Sequence, residues 1–287
     1  MNSMERESGG EEGGLSLIPV SHSKMAEMLN QVTDPVRIND TVNALAAALD
    51  QCYQLFAIRT GRQLGVGCMV SARNGRRQRE LMAQLDDFMF RLRNEAGVER
   101  VVTGGGPFCM ERCATCAVNN GMEAVEVELN LPSEHEHRNG GYKSVKMPRH
   151  NFDPRIMTML AQCDIVFGLD PYGVGTAYEI FAAIQRNQAQ ESFGDDNGVP
   201  HVPRYYSGVR LPQQVICIGP KWTLLRQMMR SMKDEGTVGE EELSFLHFVD
   251  TLDEGADIAV EFSTRWRERA KAIFGDDLVS DPPGTFN

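Results

Sequence analysis

Apolar residues along the chain fall into two alternating patterns. Short, mostly apolar runs read as strands: Leu64 to Val70, Val101 to Thr103, Ala124 to Leu129, Val145 to Met147, Ile165 to Phe167, Val215 to Ile218 and Phe245 to Val249. Between them, apolar residues recur every three or four positions. Leu81, Leu85, Phe88 and Leu92 mark one face of a helix over about 75–95, with charges opposite. Further helices are predicted up to Asn120 and over 153–162, 176–187, 222–234 and 253–273. Upstream, Val42, Leu45, Ala46 and Leu49 predict one over about 38–58. Mostly continuous apolar strands alternating with helices imply a mostly parallel sheet covered on both faces. The expected class is therefore α/β and doubly wound, with ligands bound outside the carboxyl ends of the strands.

Composition divides the chain further. Residues 1–14 are polar, acidic and glycine-rich, and residues 1–20 are expected to form a disordered tail. A helical segment follows over 21–61, then one α/β domain over 62–274, then a polar tail over 275–287. Residues of about 188–212, rich in Gly, Pro, Asp and Asn, read as an irregular insertion. Forty acidic against 29 basic residues give a net charge of −11, which excludes general nucleic-acid coating. There is no apolar run of membrane-spanning length, nor the basic and apolar regions of a signal peptide. Seven cysteines, an odd number in a chain of this size, argue against a disulfide framework and for a reducing, cytoplasmic setting.

Two glycine clusters carry the candidate chemistry. Thr103-Gly104-Gly105-Gly106-Pro107 and Gly173-Val174-Gly175-Thr176 each stand between a predicted strand and a predicted helix. Glycines let a ligand approach the backbone closely. The helix start then offers free N–H groups and a positive dipole end to an anion. Thr176 and Glu179 also fit a capping box, which competes for the same atoms. Neither cluster has the lysine of a P-loop or the spacing of a dinucleotide fingerprint.

The ordered set of segments over about 62–262 resembles the nucleoside-monophosphate phosphoribohydrolases. This Rossmann-like family is also described as lysine-decarboxylase-like, and its plant members are the LONELY GUY enzymes. The resemblance rests on Ser71-Ala72-Arg73, Thr103 to Glu111, Glu128 to Pro132, Phe152-Asp153-Pro154-Arg155 and Gly173 to Glu179. The later stretches Val215 to Gly219, Glu235 to Thr237 and Phe248 to Asp250 fit the long bacterial form. Five positions depart from the pattern. Tyr172 stands for the first glycine of its PGG, Ile156 for a lysine, Phe108-Cys109 for Gly-Ile, and Val70 for a glycine. A tyrosine for glycine narrows the phosphate side of a pocket or changes its backbone angles.

The resemblance implies hydrolysis of the N-glycosidic bond of a purine-type nucleoside 5′-monophosphate, giving free base and ribose 5-phosphate. Arg155 and Glu179 are the implied catalytic pair. Glu179 would stabilise a ribosyl cation and orient water. Arg155 would bind phosphate or assist departure of the base. Gly104, Gly105, Gly106, Gly173, Gly175 and Thr176, with Ser71, Arg73 and Glu111, are the implied nucleotide-binding residues. No cofactor or metal is expected, and the implied assembly is a homodimer or higher homo-oligomer. Tyr172 and Ile156 motivate a second reading, a nucleotide-binding protein without turnover.

Three further signals stand apart. Cys109, Cys113 and Cys116 have the spacing of a radical-SAM iron–sulfur motif. They fall on one stripe of a predicted helix, where cysteine acts as a small hydrophobe. His135 and His137 lie in a polar stretch with no third ligand. The methionine-rich segment 222–232 reads as core or subunit interface rather than a cofactor box.

Overall fold

The computed structural model describes residues 63–73, 75–129, 142–147, 152–192, 211–240 and 243–275. The predicted 1–20 tail, the 21–61 segment with its 38–58 helix, His135, His137 and the 276–287 tail lie outside them. Among the described residues, seven strands form one sheet: β1 (Gly65–Met69), β2 (Arg100–Thr103), β3 (Glu123–Leu129), β4 (Lys143–Met147), β5 (Ile165–Leu169), β6 (Gln214–Ile218) and β7 (Leu246–Val249). Between and after them run α1 (Arg76–Asn94), α2 (Cys109–Asn119), α3 (Phe152–Ala161), α4 (Val174–Ser192), α5 (Thr223–Asp234) and α6 (Leu252–Phe274). A 3-10 turn, Pro220–Trp222, leads into α5.

The sheet order is β4-β3-β2-β1-β5-β6-β7, and every pairing is parallel. The expected doubly wound α/β fold is therefore present, with a sheet parallel throughout rather than mostly so. Winding reverses between β1 and β5. Adjacent crossovers leave that point in opposite directions and open a crevice at the carboxyl ends of the strands.

Alternation along each strand divides the core into two layers. Val66, Cys68, Ile165, Phe167, Ile216 and Ile218 pack with α1, α2 and α6. Met69, Val102, Val166, Val215 and Cys217 pack with α3, α4 and α5. The central strands β1, β5 and β6 have one apolar row for each layer, so their runs are nearly unbroken in sequence, whereas β3 alternates the buried Glu126 and Glu128 with Val125, Val127 and Leu129. Cys109, Cys113 and Cys116 lie fully buried in the first layer. Burial pushes the thiols of Cys109 and Cys116 up to about 12, the opposite of what a thiolate ligand needs. Trp222, Leu225 and Met229 are core residues of the second layer, and Met232 packs against its margin.

Helix ends have identifiable causes. Thr251 caps α6, its hydroxyl accepting from Glu254 N–H while the Glu254 carboxylate accepts from Thr251 and Asp250 N–H. Arg91, near the end of α1, reaches Glu95, Asp253 and Asp257 and ties α1 to the start of α6. At the amino-terminal end of the sheet, Asn187 and the Gln213 backbone exchange two hydrogen bonds. The Gln213 side chain also donates to the carbonyls of Leu160 and Cys163. Helix α4 runs to Ser192, five residues into the expected insertion. Residues 193–210 of that insertion lie outside the described residues.

Two sequence expectations are corrected here. Helix α4 begins at Val174, so Thr176 is inside its first turn rather than at its cap. Thr176 and Glu179 form no capping box; the Glu179 carboxylate turns instead to Arg155. Tyr172 does not narrow the crevice. Its ring stacks on Trp222 at 3.8 Å between centroids, and its hydroxyl donates to the Lys221 carbonyl. Ile156, in the lysine position of the pattern, is buried in the second layer.

Candidate functional site

The crevice holds a cavity of about 480 Å³. One wall is the loop after β1, Val70 to Arg73, and the other is the turn after β5, Gly173 to Thr176, with Glu179. Leu129 at the end of β3, Met110 of α2 and Phe152 and Arg155 of α3 complete the lining. Each group arrives from the carboxyl end of a strand or the helix that follows it, as the winding requires.

Arg155 is held on three sides. Its Nε donates to the Val127 carbonyl at 2.8 Å and its Nη2 to the Gly104 carbonyl at 2.9 Å. Its Nη1 lies 3.4 Å from Glu179 Oε1. The guanidinium is thus fixed against β3, the turn after β2, and α4. Both side chains are nearly closed from solvent, Arg155 at 8% and Glu179 at 4% exposure. Burial pushes the Glu179 carboxyl up to about 7, against the opposing pull of Arg155. The guanidinium also sits 5.7 Å from the centroid of the Phe152 ring.

The turn after β5 leaves room rather than filling it. A Cβ at Gly175 would meet no atom within 4 Å, and one at Gly173 would meet only Ser71 Oγ at 3.9 Å. Ala177 N–H is the first to bond back along α4, to the Gly173 carbonyl. The N–H groups of Val174, Gly175 and Thr176 precede it and have no intrahelical acceptor by helix geometry. They stand at the cavity wall, at the positive end of a nineteen-residue helix. Opposite, Ser71 Oγ accepts from Arg73 N–H and steadies that loop, while Arg73 itself is exposed.

The structure thus brings Ser71, Arg73, Arg155, Gly173, Gly175, Thr176 and Glu179 to one cavity. Gly104, Gly105, Gly106 and Glu111 do not line it. A Cβ on Gly104 would stand 2.0 Å from Arg155 Nη2, so this glycine makes room for the arginine. Gly105 has a φ of +66°, the turn that returns the chain toward α2. Gly106 N–H reaches Met110 Sδ. Glu111 lies in the first turn of α2. Phe152 and Met110 line the cavity and were not singled out from sequence as site residues. Phe152 had one available signal, its position three residues before Arg155 on the same helical face.

No protein-family model matches the chain, and no curated protein matches it by sequence. Several solved structures are similar to it. The molybdenum cofactor carrier protein of Chlamydomonas reinhardtii is 12% identical over 71% of this chain and 99% of its own, with a TM-score of 0.44. A molybdenum cofactor binding protein of Rippkaea orientalis is 14% identical over 70% and 98%, with a TM-score of 0.42. The structural-genomics protein TM1055 is 17% identical over 69% and 99%, with a TM-score of 0.46. At these identities the likeness lies in the α/β fold, and the fold of this chain rests on its own sheet.

Proposed function

We propose that the protein hydrolyses the N-glycosidic bond of a nucleoside 5′-monophosphate, releasing the free base and ribose 5-phosphate. The observation that carries this reading is the buried Arg155–Glu179 pair beside the open helix start at Gly173 to Thr176, within one cavity. The three free N–H groups of α4 suit the phosphate. Arg73, exposed at the opposite wall, adds a cation for the same group. With the phosphate there, the ribose lies over Glu179.

In this reading the bond from ribose C1′ to the base nitrogen breaks, and its electron pair leaves with the base, which takes a proton from solvent. Glu179, as carboxylate, stabilises the ribosyl cation. Water bonds to C1′ and gives its proton to Glu179, whose elevated affinity for protons suits that task near neutral pH. Arg155 holds the carboxylate in place. Three of its five donors are engaged, and the remaining Nη1 and Nη2 hydrogens serve the ligand. The residues used here supply this chemistry without a cofactor.

The pair favours a second reading as well. Arg155 spends two donors on backbone carbonyls, as a structural tie in a nucleotide-binding protein without turnover would. A panel of nucleoside 5′-monophosphates separates the two. Free base appears in the first case. In the second, calorimetry shows binding and chromatography shows no base.

A homodimer fits the same region. Val174 at 90% exposure, with exposed Phe152, Met157, Tyr178 and Phe181, forms an apolar rim on α3 and α4 beside the cavity. Sedimentation of the wild type and of Val174→Asp tests it, the dimer weakening in the variant.

A further inference from the structure

We propose that the open sheet edge along β7 binds an extended acidic segment of a partner protein by strand addition. Strand β7 ends the sheet, and among the described residues nothing pairs with its outer side. Val215 N–H bonds to the Phe245 carbonyl and Gly219 N–H to the Val249 carbonyl. In a parallel ladder, bonding alternates along the strand. The N–H and C=O groups of Leu246 and Phe248 therefore turn outward, where an added strand would take them. The strand reads Leu-His-Phe-Val, with neither the lysine nor the proline that blunts an edge.

A cavity of about 350 Å³ follows this edge from α5 to Ile258 of α6. Its α5 wall carries Arg226, Arg230 and Lys233, spaced to form one helical stripe. Lys233 pairs with Glu240 at 2.7 Å. Arg226 and Arg230 make no ion pair or hydrogen bond among the described residues. In a chain with a net charge of −11, this groove is a local concentration of cations, of which Lys233 alone has an ion-pair partner among the described residues.

Alternation fixes the sequence an incoming strand needs. Leu246 and Phe248 pack toward the α5 layer, and Val249 toward the α6 layer. Residues of the added strand on the α5 side meet Arg226 and Arg230; those on the other side meet Ile258. Acidic and apolar residues therefore alternate in the partner. A second copy of the chain is the poorer occupant. Pairing β7 with β7 across a twofold axis normal to the sheet sets two rows of Arg226 and Arg230 on the same face.

The test is fluorescence anisotropy with the full chain and a labelled peptide of alternating valine and glutamate, about seven residues long. Saturable binding is expected, with affinity at least about tenfold lower for R226E/R230E. The matching valine–lysine peptide should not bind. Amide exchange at Leu246 and Phe248 should slow on binding while that at His247 does not change, a pattern that a nonspecific ionic contact would not give. Absence of binding at about 1 mM peptide, equal binding of the lysine peptide, or unchanged exchange at both amides overturns the proposal. One further outcome also overturns it. The N-terminal stretch contains Glu5, Glu7, Glu11 and Glu12. If only the full-length variant with these four changed to glutamine binds the peptide, the chain's own N-terminus is the occupant.

Discussion

Arg155 Nη1 and Glu179 Oε1 meet 3.4 Å apart across the floor of the switch-point crevice, joining α3 to α4. The two residues lie in different crossovers, and only the winding of the sheet brings them together. Arg155 is tied to the backbone twice over, so the carboxylate side of the pair has the freer role. A carboxyl at 4% exposure with one cation at long hydrogen-bonding distance is under-compensated, so burial prevails over attraction.

That imbalance predicts how stability varies with pH. In the folded chain Glu179 keeps its proton up to about 7, against an ordinary value of 4.5. The folded state therefore binds more protons than the unfolded state between those values. Its contribution is fully present below 4.5 and is lost as pH rises through 7. The gap corresponds to roughly 3 kcal/mol. Urea denaturation should show Glu179→Gln flattening the stability profile across this window. A variant profile parallel to that of the wild type rejects the assignment.

Gly104 predicts a steric route to the same site. A methyl group there would stand 2.0 Å from Arg155 Nη2. The guanidinium must then leave the Gly104 carbonyl and shift against Glu179. Gly104→Ala should cost about 2–3 kcal/mol of stability and lower base release together with it. Chemical denaturation and a base-release assay measure the two effects. Gly175→Ala, whose added carbon meets no protein atom, should spare stability and weaken nucleotide binding.

These contrasts show what the sequence made legible. The central strands β1, β5 and β6 were legible as nearly unbroken apolar runs because each feeds two core layers. The α1 stripe was visible because its other face is charged. The role of Gly104 was not visible, since the residue that requires it lies 51 positions away. Glu179 was legible as a candidate through its motif, while its local spacing to Thr176 suggested a cap. Propensity patterns record neighbours along the chain, and the cavity is built from neighbours across crossovers. The same holds for Tyr172, whose partner Trp222 arrives from the next crossover.

Phe108 predicts a stabilising change. Its φ of 61° and ψ of −108° lie where side chains are disfavoured, and the residue is 40% exposed. Such a conformation costs on the order of 1–3 kcal/mol. Glycine removes that strain but adds unfolded-state entropy. Phe108→Gly should gain about 1 kcal/mol net, read as a higher urea midpoint with an unchanged slope. A lower midpoint means that the ring's packing outweighs the strain.

The buried thiols predict slow chemistry. Cys109, Cys113 and Cys116 are closed from solvent, and burial raises the Cys109 and Cys116 thiols far above neutral pH. Alkylation of all three should be slow in native buffer and fast in urea. Anaerobically purified protein should hold no iron. Stoichiometric iron with a visible charge-transfer band would restore the iron–sulfur reading.

Tyr172 separates a blocked site from a supported one. If its ring obstructed the phosphate side, replacing it with glycine would raise turnover. Here the ring lies on Trp222, itself buried and donating its indole N–H to the Gly168 carbonyl. The Tyr172 hydroxyl also pins the start of α5 through Lys221. Tyr172→Gly should therefore lower stability by about 2–3 kcal/mol, through lost stacking and lost burial. Base release per folded molecule should remain at the wild-type level, because the tyrosine lines no part of the cavity. Tyr172→Phe should recover most of the stability, since it keeps the stack and loses one hydrogen bond. Turnover rising several-fold in the glycine variant, at equal folded fraction, would show that the tyrosine reaches into the site.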